Sequence, residues 1–106
     1  MKLQQLIGDC KPQQVVGNVD RDVTGIEIDG RLIKEGAVFV AMRGTQVDGH
    51  SFIGKAIELG AAVVVCERLP ESLSDDVTYL VYPNTDDVVG TLATHFFGDP
   101  SRRMHL

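Results

Sequence analysis

Between residues 36 and 66 the chain carries two uninterrupted apolar runs, Ala37–Ala41 and Ala61–Cys66, joined by one amphipathic stretch. Short apolar runs bounded by glycine suit strands that are covered on both faces. Between them, Ser51 is the expected N-cap of a helix over about Phe52 to Leu59. Its inner stripe is Phe52, Ile53, Ala56 and Ile57, and Gly60 is its stop. Strand, loop, helix, strand is the βαβ pattern, which predicts a right-handed parallel crossover. The fold class is therefore α/β: a small, mainly parallel sheet of about four to five strands flanked by helices.

The remaining segments extend this plan. Leu3, Leu6 and Ile7 recur at helical spacing and predict a short helix ending near Gly8. Gln14–Val16 reads as a short strand. Thr24–Asp29 alternates, with Ile26 and Ile28 on one face, as a half-buried strand does. Glu67–Asp76, acidic and containing Pro70, reads as a solvated loop, and Val77–Val81 as another strand. Asn84 or Thr85 is the expected cap of a second helix, with Asp86 and Asp87 in the first turn where the helix dipole favours negative charge. Val88, Val89, Leu92, Phe96 and Phe97 face inward, and Gly98 and Pro100 end the helix.

A chain of 106 residues with 43% apolar side chains can bury one modest core. Fifteen acids against ten bases give a net charge of −5, which argues against a nucleic-acid surface. A small anion at Arg31, Arg43 and loop amides remains compatible with that balance. Cys10 and Cys66 follow no disulfide or metal spacing, and Cys66, ending an apolar run, reads as a small buried side chain. With no signal peptide and no long apolar span, a cytoplasmic location away from membranes is expected. His50, His95 and His105 stand at no ligand spacing, so no metal site is expected.

Function is concentrated in the loop Gly44-Thr45-Gln46-Val47-Asp48-Gly49-His50. Its small and hydrogen-bonding residues expose backbone N–H groups with little bulk, which lets a ligand approach the main chain. Two frames resemble a phosphate-cradling loop, and each lacks a required group. Gly44–Ser51 has His50 where lysine is needed, and Gly49–Ala56 has Ala56 where a hydroxyl must hold magnesium. His50 reads as a structural or ligand-contacting histidine, because no nucleophile accompanies it. Asp48-Gly49 is first a turn. Arg31 either pairs with Asp29 or Glu35 or meets an anion. The loop after Ala41 leaves the carboxyl end of a strand, where open α/β sheets place ligands, and Gly30 follows another strand's carboxyl end. If those strands are parallel the two loops share a pocket. Gly30–Gly36 is too short for a helical crossover, so a hairpin with the loops at opposite edges stays open as well.

The residues from Asp29 to Ala61 resemble the N-terminal domain of the Mur ligases, above all the MurE type that builds peptidoglycan precursors. The likeness runs through Asp29, Arg31, Gly36, Phe39-Val40-Ala41, Gly44, Asp48-Gly49-His50, Phe52-Ile53, Ala56-Ile57 and Gly60-Ala61. Phe96-Phe97-Gly98-Asp99-Pro100-Ser101 resembles the lead into the family's central ATPase domain. The resemblance implies a nucleotide-binding domain over residues 1–100, with 101–106 opening the next domain of a longer protein. It implies that the uridine end of UDP-N-acetylmuramoyl-L-alanyl-D-glutamate meets Ile28, Gly30, Thr45, Gln46 and Val47, with Arg31, Asp48 and His50 as secondary contacts. No catalytic residue, metal or cofactor is expected within this chain. ATP, magnesium and the amino-acid site belong to central and C-terminal domains, and the diamino acid added is meso-diaminopimelate or lysine. Gly30 stands where the family usually has a serine. A rival reading is a non-catalytic sensor or interaction module, related in fold to the N-terminal domain of HPr kinase/phosphatase.

Overall fold

The computed structural model describes residues 2–8, 10–28, 32–41, 52–71 and 73–97. Within them lie helix α1 (Leu3–Ile7), strands β1 (Gln14–Val16), β2 (Gly25–Glu27) and β3 (Ala37–Val40), and helix α2 (Ile53–Glu58). Strands β4 (Val63–Cys66) and β5 (Thr78–Val81) and helix α3 (Thr85–Phe97) follow. The five strands form one sheet in the order β1-β5-β4-β3-β2. Strands β2 to β5 pair in parallel, and only β1 runs antiparallel, beside β5.

The period of two along each strand divides the core between two faces. Val38, Val40, Val63, Val65 and Leu80 point to one face and pack with Leu3 and Leu6 of α1 and Val88 and Leu92 of α3. Ala37, Phe39, Val64, Cys66 and Tyr79 point to the other and pack with Ile53 and Ala56 of α2. The sheet thus lies between α1 and α3 on one side and α2 on the other. Every residue of β3, β4 and β5 is buried, as the unbroken apolar runs of β3 and β4 require, and β5 also buries Thr78.

The connection from β2 to β3 settles the question of the two loops. It comprises nine residues, 28–36, none of whose described members is helical, yet the strands are parallel, with Gly25 opposite Ala37 and Glu27 opposite Phe39. A three-residue strand is only about 10 Å long, so nine residues can return to its start without a helix. Ile33 fills the place a crossover helix would take: it is buried in the same cluster as α2. Gly36 then turns the chain into β3 at φ +85°, its N–H donating to the Gly60 carbonyl at 2.8 Å.

Helix α3 is capped by Asn84, whose Oδ1 accepts the Asp86 N–H at 3.0 Å. Ser51, the expected cap of α2, lies outside the described residues, and Phe52 makes no side-chain cap bond. Val89 and Phe96 are partly buried against the core as expected, while the Phe97 side chain is outside the described set. Two long-range bonds fasten the amino-terminal segment. The Tyr82 hydroxyl donates to the Cys10 carbonyl at 2.6 Å, and His95 Nδ1 lies 2.6 Å from the Leu6 carbonyl. A carbonyl only accepts, so Nδ1 carries the proton in that contact.

Candidate functional site at the carboxyl edge of the sheet

Because β2 to β5 run the same way, four segments leave the sheet at one edge: Ile28 after β2, Ala41 after β3, Glu67 after β4 and Tyr82–Asn84 after β5. The two expected binding segments therefore depart from neighbouring strands side by side, which excludes the hairpin arrangement. Ile28 is 54% exposed there, and Leu32, where the chain is next described, is 60% exposed. Ile28 offers aliphatic surface at that edge which a planar ring can cover. Of the other expected contacts, Gly30, Thr45, Gln46, Val47, Arg31, Asp48 and His50 all lie outside the described residues.

The second phosphate-loop frame does not fit ATP. Its would-be cradle residue Ile53 is buried in the core, and Ile53 and Gly54, which would have to be loop, already belong to α2. Ala56, where the hydroxyl would be needed, is fully buried. No group of His, Cys, Asp or Glu among the described residues could hold a metal ion. Cys66 is buried and forms no disulfide, and burial pushes its thiol pKa up to about 11, so it is a poor nucleophile.

One residue at this edge escaped the sequence reading. Glu67 belongs to the segment expected as solvated surface, yet it is half-buried and its Oε2 accepts the Thr85 N–H at 3.1 Å. The Thr85 hydroxyl lies 3.2 Å from that same oxygen and 3.2 Å from the Ala41 carbonyl. Leu69 also packs against the core, so the segment's opening residues close the sheet's end instead of floating in solvent. The signal that could have shown this is faint: an acid directly after a buried strand, and a helix start needing an acceptor for its first amide.

A hollow of about 350 Å³ lies at the opposite, amino edge, lined by Arg21, Glu35, Gly60 and Asp76 among others. Arg21 is engaged there, donating to the Asp76 carbonyl at 3.0 Å and to the Thr78 hydroxyl at 3.3 Å. This hollow lies at the end of the sheet away from the segments expected to bind nucleotide. No helix among the described residues is long and apolar enough to cross a membrane.

A mainly parallel α/β sheet from which the chain leaves two adjacent strands at one carboxyl edge defines a class: α/β domains that hold a ligand above the strand ends. Residues 22–97 match the Mur ligase family, catalytic domain, and this span is well over half of the chain; the chain belongs to that family. It is 49% identical over 106 residues to the UDP-N-acetylmuramoyl-L-alanyl-D-glutamate--2,6-diaminopimelate ligase of Phocaeicola vulgatus. It is 38% identical to the ligase of the same name from Bacillus cereus. The chain spans only 22% and 21% of the length of these two relatives. The structure of UDP-N-acetylmuramoylalanyl-D-glutamyl-2,6-diaminopimelate--D-alanyl-D-alanyl ligase from Acinetobacter baumannii superposes with a TM-score of 0.70, covering 89% of this chain and 21% of that one. At 23% identity that likeness shows the fold, which matches Mur ligase N-terminal domains. A MurF ligase from Thermotoga maritima is similar over 66% of this chain and 16% of its own, at 30% identity and a TM-score of 0.58. Family membership favours the ligase reading over the sensor module.

Proposed function

We infer that this chain holds the nucleotide of UDP-N-acetylmuramoyl-L-alanyl-D-glutamate for an ATP-dependent ligase that adds meso-diaminopimelate. The observation that carries the reading is the parallel pairing of β2 and β3, which starts the Ile28–Arg31 and Met42–His50 segments at one edge. The names of the relatives supply the substrate class and favour diaminopimelate over lysine. Uracil presents two carbonyl acceptors and one N–H donor, which loop amides, loop carbonyls and Gln46 can meet. Ile28, Gly30, Thr45, Gln46 and Val47 are the assigned contacts, with Arg31, Asp48 and His50 secondary. Residues 1–100 form this domain in the reading, and 101–106 lead to the next.

In the complete enzyme, ATP transfers its γ-phosphoryl group to the substrate's glutamate carboxylate and leaves as ADP. The diamino acid's amine then attacks the acyl phosphate, forming the amide and releasing phosphate. ATP and magnesium are held by other domains, in a cytoplasmic protein. This chain's share is binding energy remote from the reacting carboxylate, which fixes the substrate's position.

Calorimetry with UDP and the full-length protein tests the reading. Wild type should bind, and Gln46→Ala should weaken binding roughly two- to tenfold, the worth of one hydrogen bond. A folded wild type that ignores millimolar UDP would sink the proposal.

A further inference from the structure

We propose that Thr85 and Glu67 are positioning residues for the nucleotide site, a strut that fixes where the loop after β3 begins. The proposal rests on the nucleotide-holding reading above and adds residues that lie outside both binding segments.

Ala41 is the final described residue before that loop. Its N–H donates to the Val65 carbonyl at 2.7 Å, which ties it to β4, and its carbonyl lies 3.2 Å from the Thr85 hydroxyl, which ties it to α3. Thr85 is itself fully buried and held twice by Glu67, through its N–H and its hydroxyl. One hydroxyl carries one proton, so that proton divides between the Ala41 carbonyl and the Glu67 carboxylate. A carboxylate at the first amide of a thirteen-residue helix is also favoured by the helix dipole. Three elements, β3, β4 and α3, thus meet at one threonine where the chain enters the loop expected to bind uridine.

The fold supplies a matched control. Thr78 is equally buried, and its hydroxyl donates to the Asn18 carbonyl at 2.6 Å, but it lies at the amino edge, the far end of the same sheet. A general loss of stability should follow from removing either hydroxyl. Only Thr85 should affect the nucleotide site.

The test uses the full-length ligase and measures KM for the UDP-linked substrate, KM for ATP, kcat and thermal stability. Thr85→Val should raise KM for the UDP-linked substrate about two- to tenfold, the range one hydrogen bond covers. KM for ATP should stay within about twofold of wild type. Thr85→Ser should restore the wild-type value, and Glu67→Gln should fall between the two. Thr78→Val should lower the melting temperature and leave KM for the UDP-linked substrate unchanged. Hydrogen exchange gives a readout free of turnover: Thr85→Val should speed exchange at the Ala41 amide, and Thr78→Val should not. If Thr85→Val leaves KM and Ala41 exchange unchanged, or if Thr78→Val shifts that KM equally, the strut is overturned. Failure of the underlying reading looks different, because wild type would then neither bind UDP nor turn over the substrate. Normal Ala41 exchange in Thr85→Val would still overturn the strut in that case.

Discussion

Replacing Gly60 with alanine tests the packing that lets β2 and β3 run parallel. Gly60 follows α2 at φ +110°, and a Cβ placed there would stand 2.8 Å from the Glu35 Cα. Its carbonyl accepts the Gly36 N–H at 2.8 Å, and the Gly36 carbonyl accepts the Thr24 N–H at 3.0 Å. These two bonds link the end of α2, the end of the β2–β3 connection and the entry to β2. An L-residue held at such a φ costs about 1–3 kcal/mol. Moving the Glu35 backbone aside adds roughly 1 kcal/mol, at the low end of overpacking costs. The stiffer unfolded chain offsets about 0.4–1 kcal/mol of that. The net loss is about 2 kcal/mol, which at roughly 4–8 °C per kcal/mol lowers the melting temperature of a domain this size by about 10 °C. Urea and thermal unfolding followed by far-UV circular dichroism on the 106-residue chain measure it. Gly54 is the control: it sits in α2, and a methyl group added there would meet nothing within 4 Å, so Gly54→Ala should gain about 0.5–1 kcal/mol. If Gly60→Ala is as stable as wild type, the tight approach to Glu35 is wrong, and with it the tie that seats the return to β3.

Stability should decline at alkaline pH. The Cys66 thiol has a folded pKa raised by burial from 9.0 to about 11, so its contribution is complete below pH 9 and lost as pH climbs toward 11. Tyr82, raised first by burial and then by neighbouring Cys10, adds a loss in the same direction at higher pH. Urea midpoints should be flat to about pH 8.5 and then fall, and Cys66→Ala should remove part of the fall; a flat wild-type profile to pH 11 contradicts this. Tyr82→Phe removes the bond to the Cys10 carbonyl and should cost about 0.5–1.5 kcal/mol, read by urea unfolding at pH 7. Asn84→Ala should cost about 1 kcal/mol, mostly as fraying of α3 visible in hydrogen exchange at Asp86. Gly30→Ser, which restores the hydroxyl usual in the family, should tighten UDP binding about two- to tenfold by calorimetry; unchanged or weaker binding counts against a side-chain contact at that position.

The strands were legible because burial on both faces leaves a run of apolar residues, and Ala37–Ala41 and Ala61–Cys66 each contain one. Helix α3 was legible to within one residue of its cap, Asn84 or Thr85, since Asn84, Asp86 and Asp87 form a local signal of helix starts. The relative direction of β2 and β3 was not, because a nine-residue link fits either a hairpin or a short return. Burial of Ile33 beneath that link is a tertiary event that no local pattern records. Glu67 was misread for the same reason. Its partner Thr85 is 18 residues away, and an acid before a proline and serines reads as surface until α3 is docked. The binding segments were read from their resemblance to a family, and the comparisons bear out the family.

The account turns on Ile28 and the loop after β3 meeting one pyrimidine ring. An NMR titration of the chain with UDP, with nuclear Overhauser contacts sought from the uracil H5 and H6 protons, probes this directly. The uracil protons should touch the Ile28 methyls and shift the Gln46 amide at matching UDP concentrations. Contacts that fall instead on residues at the amino edge, such as Ile57 or Val77, with Ile28 and Gln46 unmoved, would contradict it.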